Sequence, residues 1–265
     1  MTSIIVGRTG AGPALVLLHA FPLNAQMWDL QAAALAGQAT VLTPDLPGFG
    51  ASGGASPVED LDALASMLYE EIRALGVRRA VVAGCSMGGY LAFGLLRVAP
   101  HFVRGLALID TKASADTDAA RANRLELIRR VEREGCAFLA REWPPGALSP
   151  TTTTQRPQVV RAVQDMVARA TAAGVIAAQK AMAARPDSSA LLPLVGVPAV
   201  VVHGLDDRIV SETESRAMAG AIAGADFVGV PNAGHIPGVE QPEQVNGALR
   251  ELVRRVTERD AFRPA

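Results

Sequence analysis

The chain has 265 residues, 49% of them hydrophobic and 19% charged, with a formal net charge of −1. That length can bury a core without disulfides or metals, and the near-neutral balance gives no electrostatic footprint for nucleic acid or anionic lipid. With only two cysteines, Cys85 and Cys136, a disulfide scaffold and a cysteine-rich zinc site are excluded, and the cytoplasm is the expected compartment.

Residues 1–7 lack the basic region and long apolar run of a signal peptide. Three long uncharged stretches, 10–28, 80–96 and 188–205, are interrupted by proline or glycine. A helix broken that way leaves backbone groups unpaired in lipid, so buried strands running into turns are expected, and no membrane partner. Taken in chain order, the strand-like runs are 14–19, 40–44, 80–84, 103–110, 199–204 and 226–230. They are continuous Val/Leu/Ile/Ala runs rather than alternating ones, the mark of strands covered on both faces. Helical patterns lie between them at 57–76 (Ser56 as cap, Pro57 first, Gly76 as stop), 87–99, 211–223 and 242–257. This alternation predicts an α/β fold with a mostly parallel, doubly wound sheet.

The alternation fails between Lys112 and Ser189. Residues 118–134 read as a charged amphipathic helix stopped by Gly135, and 136–143 as a second. Val159, Val160, Val163, Met166 and Val167 form one apolar face, and 175–184 reads as a further helix. The segment 144–157 reads as a loop. The expected organisation is therefore a core of residues 1–111 and 190–265, interrupted by a helical cap of residues 112–189.

Gly84-Cys85-Ser86-Met87-Gly88 follows a buried strand and opens a helix, the context of a nucleophile elbow that lifts the Ser86 hydroxyl above the sheet. A serine hydroxyl needs a base. Among the four histidines, His235 lies in Gly234-His235 just after the last strand, where ligands gather at the carboxyl ends of a parallel sheet. His203 reads as a core histidine and His101 as a surface one. An acid partner for the base is offered at another strand end by Asp206 or Asp207. The backbone N–H of Met87, after the serine, and that of Phe21, after the first buried strand, are the candidate oxyanion donors. Asp45, in a Pro/Gly-rich turn, reads as structural, and Cys85 as a packing residue.

Together, His19-Ala20-Phe21-Pro22, the segment 44–52, Gly84 to Gly89, Gly204-Leu205-Asp206-Asp207 and Gly234-His235 with Glu240-Gln241-Pro242 resemble the α/β-hydrolase superfamily over nearly the whole chain. The nearer likeness is to small bacterial carboxylesterases and 3-oxoadipate enol-lactonase-like hydrolases, also through Ile109-Asp110-Thr111-Lys112-Ala113 with Asp116 and through the segment 182–188. The resemblance implies Ser86 as nucleophile, Asp207 as acid and His235 as base, with no cofactor and no metal ligands. Its usual His-Gly is His19-Ala20 here, and the stretch before Pro13 leaves room for one fewer antiparallel strand than relatives carry.

The expected activity is hydrolysis of small carboxylic esters through an acyl-enzyme. Alternatives are an enol-lactonase or other lactone or carbon–carbon bond hydrolase, a cofactor-free perhydrolase or haloperoxidase, and a non-catalytic binding protein of the same fold. Trp28, Trp143 and Met182 are the candidate pocket residues. An apolar lining predicts neutral short-chain esters, with Arg121 or Arg124 the only cap cations able to face inward.

Overall fold

In the computed structural model, residues 4–261 are described. The elements run β1 (Val6–Thr9), β2 (Ala14–Leu18), α1 (Asp29–Leu35), β3 (Thr40–Pro44), α2 (Leu61–Ala74), β4 (Ala80–Cys85), α3 (Met87–Val98), β5 (Val103–Ile109), α4 (Asp118–Glu134), α5 (Leu139–Glu142), α6 (Pro144–Ala147), α7 (Pro150–Gln155), α8 (Pro157–Val167), α9 (Ala172–Ala184), β6 (Ala199–Gly204), α10 (Glu212–Ala221), β7 (Asp226–Val230), α11 (Pro237–Glu240) and α12 (Pro242–Ala261). The seven strands form one sheet in the order β1-β3-β2-β4-β5-β6-β7. Every pairing is parallel except β1 with β3. Among the described residues a single antiparallel strand thus stands at the edge.

The continuous apolar runs are the central strands. All residues of β4 and β6 are buried, and in β5 only Arg104 is not fully so. In register, Leu18 pairs Gly84, Cys85 pairs Ile109, and Ile109 pairs Val202. The ends of β2, β4, β5 and β6 therefore finish side by side, which brings the loops after residues 18, 85, 109 and 204 to one edge.

Two expectations are corrected. Helix α2 starts four residues later than 57, because the Asp60 carboxylate, not Ser56, accepts the first-turn amide, that of Ala63, at 2.8 Å. The segment expected as a loop, 144–157, holds α6, α7 and the first residue of α8. Ser149 caps α7 by accepting the Thr152 N–H, a local hydrogen bond that the run of threonines conceals. Between β5 and β6 the regular elements of the described chain are all helices, with no strand.

This helical segment is clamped to the loop after β3 by a close backbone approach. The Thr171 N–H and hydroxyl both donate to the Gly48 carbonyl, at 2.9 and 3.1 Å. Gly174, in the first turn of α9, lies so near that a Cβ on it would sit 2.6 Å from the Gly48 Cα. Gly174→Ala should therefore destabilise the fold by roughly 1–3 kcal/mol, as overpacking does. Thermal unfolding should show a Tm lowered by about 2–4 °C per kcal/mol. Gly247→Ala, where an added methyl meets open space, is the control, and equal Tm values for the two variants would refute the clamp.

Candidate active site

Strand β4 passes into α3 through Ser86 alone, which is held at φ 52° and ψ −113°. Such a left-handed residue is strained and persists only where its surroundings over-determine it. Here a Cβ on Gly84 would lie 2.2 Å from the Gly88 carbonyl oxygen, and one on Gly88 would lie 2.2 Å from that of Leu18. Only glycine fits on either side, so the turn is sharp and the serine side chain stands at its apex. The Ser86 N–H donates to the Ile109 carbonyl at 2.9 Å, and the Thr111 hydroxyl donates to the Ser86 carbonyl at 2.8 Å. Cys85 next to it is fully buried, with Sγ 3.5 Å from the His235 carbonyl oxygen. Burial, with the charges of Asp110 and Asp207, pushes its thiol well above the ordinary range, as befits packing.

His235 Nε2 lies 2.8 Å from Ser86 Oγ, and His235 Nδ1 lies 2.8 Å from Asp207 Oδ2. Of the two candidate acids it is Asp207 that reaches His235; Asp206 bonds through its backbone N–H to the Ala233 carbonyl. The other Asp207 oxygen accepts the Ile209 N–H at 2.7 Å. Burial disfavours the imidazolium, yet the charge and hydrogen bond of Asp207 outweigh it and raise the His235 pKa. Burial likewise works against the Asp207 carboxylate, and His235 again outweighs it, holding the acid below its usual range.

Sequence reasoning missed the braces of this chain. Glu240 is fully buried and accepts the Gly234 N–H at 2.7 Å and the Ser149 N–H at 2.8 Å. The His235 N–H donates to the Ala147 carbonyl at 2.7 Å. The histidine loop is therefore fixed by the helical segment, a contact between residues far apart in sequence.

Asp110 was also missed. Buried at the end of β5 with φ 42°, it accepts the Gly204 N–H at 2.9 Å, while its Oδ2 has no partner. Burial and then the Asp207 charge push its pKa well up. Asp110, His203 and Asp207 bring ligand-type atoms within 4.8 Å of one another, a spacing that could hold a metal ion. No such cluster was expected, because the three residues meet only through the pairing of β5 with β6. Most of these atoms have protein partners: His203 Nδ1 lies 3.1 Å from Ser215 Oγ and 3.2 Å from Asp110 Oδ1, and Asp207 Oδ2 lies 2.8 Å from His235 Nδ1. Those contacts form a hydrogen-bond network.

A cavity of about 420 Å³ opens over Ser86 and His235. Phe21, Tyr90, Trp143, Met182, Ile209 and Val210 give it apolar wall. Trp28, a pocket candidate, is instead fully buried away from it. A Cβ on Gly238 would meet its ring at 3.2 Å, so the indole fills the seam under α11. Met87 is buried and opens α3, where a first-turn N–H has no intrahelical acceptor. Ala20 is fully buried, its N–H 3.2 Å from Met27 Sδ. Asp45 is structural, accepting the Ala25 and Ala51 N–H groups at 2.7 Å each. His203 is buried, and His101 is exposed against the Tyr69 hydroxyl. Arg121 is a surface residue paired with Asp118, but Arg124 lines the cavity.

The profile of the alpha/beta hydrolase family matches residues 15–248. The chain belongs to that family. A thermophilic esterase from Thermogutta terrifontis superposes with a TM-score of 0.92 at 39% identity, over 96% of this chain and 93% of its own. The 3-oxoadipate enol-lactonase 2 of Acinetobacter baylyi is 24% identical over 243 residues, 92% of this chain and 89% of that protein. The dihydrolipoyllysine-residue acetyltransferase component of the acetoin cleaving system of Pseudomonas putida is 30% identical over 260 residues; the match takes in 94% of this chain but 65% of that protein's length. This hydrolase therefore has esterase and enol-lactonase relatives. Among its described residues no helix is long and apolar enough to cross a membrane.

The raised histidine and lowered aspartate pKa values fix a sign. His235 contributes stability that is full below its unfolded pKa and is lost as pH rises through the folded one. The Asp207 contribution is present above its unfolded pKa and is lost as pH falls through the folded one. NMR titration should place His235 above the ordinary histidine value of about 6.5, and in Asp207→Asn the midpoint should fall. A midpoint unmoved by that substitution would show that the aspartate does not set it.

Proposed function

We propose that the protein is a serine esterase that hydrolyses small carboxylic esters, lactones as cyclic esters included, through a covalent acyl-enzyme. The observation that carries the reading is the continuous chain from Ser86 Oγ to His235 to Asp207, each link 2.8 Å, at the floor of a cavity. For Nε2 to take a proton, the neutral imidazole must carry its own proton on Nδ1. The Asp207 carboxylate selects that tautomer by accepting it.

As Ser86 Oγ bonds to the ester carbonyl carbon, its proton passes to His235 Nε2. The carbonyl electron pair moves to oxygen, and the N–H groups of Met87 and Phe21 hold the oxyanion. When the tetrahedral adduct collapses, the carbon–oxygen bond to the alcohol breaks and the alcohol leaves with the proton from His235. Water then attacks the acyl-serine with the same base, releasing the acid and restoring Ser86. Each step needs neutral His235 as base and imidazolium as acid, and the buried Asp207 stabilises the latter. The helical segment acts as a cap that keeps solvent from the acyl group.

Two measurements test this. Ser86→Ala should lower kcat on p-nitrophenyl butyrate by about four to six orders of magnitude, and a fluorophosphonate should label the parent protein at Ser86 alone. Near-parental turnover in that variant would end the esterase reading. Asp207→Asn should cost about ten-thousand-fold in kcat through loss of the tautomer. Asp206→Asn, one residue away, should cost far less. The reverse ranking would assign the acid to the wrong residue.

A further inference from the structure

The cavity over Ser86 is apolar on most of its wall but carries surplus positive charge on one side. Asp116, in the loop before α4, is buried there with its side chain 1% exposed. Two arginines share it: Arg124 from α4, Nε to Oδ2 at 2.5 Å, and Arg185 after α9, Nη1 to Oδ1 at 2.7 Å. Burial opposes the Asp116 charge, and the two guanidinium groups outweigh that and hold its carboxyl low. One carboxylate answers one of these cations. Lys112, in the same loop and also lining the cavity, is half-buried and makes no hydrogen bond or ion pair among the described residues. Of the residues lining the cavity, two cations, Lys112 and Arg124, thus face one carboxylate that Arg185 also claims, and among the described residues no other carboxylate lines it.

This surplus is local. On the outer face of α4, Arg121, Arg129 and Arg130 each pair with an acid of the cap itself. Uncompensated charge beside apolar wall is unfavourable, and an anion from solution removes the penalty. The cations are also held ready. Arg124 Nη1 donates to Gln179 Oε1 at 3.1 Å, so its guanidinium is fixed before any ligand arrives. Lys112 follows Thr111, whose hydroxyl holds the Ser86 carbonyl, so the loop bearing the ammonium is pinned to the reacting serine. The ammonium itself is a compact charge on a flexible stem, able to reach an anion.

We propose that Lys112 and Arg124 bind a carboxylate carried on the acyl part of the substrate, so that the preferred substrates are hemiesters of short dicarboxylic acids, cut at the ester end. The inference rests on the esterase reading and deepens it. The ester group and one water become the second carboxyl and the free alcohol, the acyl carbon–oxygen bond to the alkoxy group breaking as the water oxygen takes its place, while the bound carboxylate takes no part in bond making. A site that pairs buried cations with an anion rejects the uncharged isostere, because that ligand leaves the cations uncompensated. The neutral short-chain preference suggested by the apolar lining is replaced on this account.

The test compares monomethyl glutarate with its neutral isostere methyl 5-oxohexanoate. In the parent protein, kcat/KM should favour the charged ester at least ten-fold, mainly through KM. In Lys112→Met that ratio should fall at least five-fold; the fold does not lean on this unpartnered side chain. In a parallel measurement by calorimetry, glutarate itself should bind the parent protein and bind Lys112→Met more weakly. Equal efficiency on both esters, or a ratio unmoved by Lys112→Met, would overturn the carboxylate site and leave the esterase reading standing. Absence of glutarate binding would overturn it even if neither ester turned over. Failure of Ser86 to react with a fluorophosphonate would instead strike the esterase reading.

Discussion

At the top of β4 the turn that carries Ser86 leaves no room for a Cβ at Gly84 or Gly88. The Leu18 carbonyl presses on one flanking glycine and the first turn of α3 on the other. The positive φ of Ser86 is therefore imposed by two packed elements, the neighbouring strand and the following helix, and not by any preference of serine. Much else depends on this crossing. Because β2, β4 and β5 end in register around it, the Phe21 loop, Ser86 and Asp110 arrive at one edge. Because α3 starts at once, its first amides, which have no intrahelical acceptor, lie beside the Ser86 hydroxyl.

The same edge concentrates three acidic or basic groups in a space closed to water. Asp207 and His235 sustain each other's charge across 2.8 Å, each outweighing the other's burial penalty. A second charged carboxylate beside them would undo that balance, since two like charges in low dielectric repel strongly. Asp110 sits beside them with its pKa pushed up, first by burial and then by Asp207 itself. When protonated, such a carboxyl is a hydrogen-bond donor and can offer its proton toward Asp207. The unpartnered Oδ2 is intelligible as the site of that proton.

What the sequence makes legible is whatever is local. The elbow reads from five consecutive residues because its constraint lies within five residues, and the strands read because both faces are covered and the apolar run is unbroken. The order of serine, aspartate and histidine reads because each ends or follows a strand. Asp110 and Glu240 were not legible as working residues, although both lie inside segments that were noticed. Their partners, Gly204 and Asp207 in one case and Gly234 and Ser149 in the other, are brought to them only by sheet order and by the docking of the helical segment. Trp28 misled for the opposite reason: a large aromatic near a strand end suits a pocket wall and a helix seam equally, and only packing against Gly238 decides. The helices at 144–147 and 150–155 escaped because α6 opens on paired prolines and α7 is a row of threonines, while the bonds that secure them, from Ser149 and to Glu240, are a cap and a long-range contact.

The helical segment between β5 and β6 does two separate jobs, and the interactions that serve them differ in kind. Toward the histidine loop it offers mostly neutral groups, the Ala147 carbonyl, the Ser149 N–H and the Ser149 hydroxyl on the Asn232 carbonyl, which fix the loop through hydrogen bonds. Toward the cavity it offers charge. Exposed pairs such as Arg129 with Glu126 are worth little, being screened by water and salt. Arg124 and Arg185 on Asp116 stand with that carboxylate 1% exposed, where the field reaches further and salt screens less. Read from sequence alone, the arginines of helix α4 form a solvated face from which only Arg121 or Arg124 could turn inward. In the folded chain only the one that turns toward Asp116 retains a long-range effect on what enters the cavity, and position within the fold, not residue type, separates it from its neighbours on the same helix.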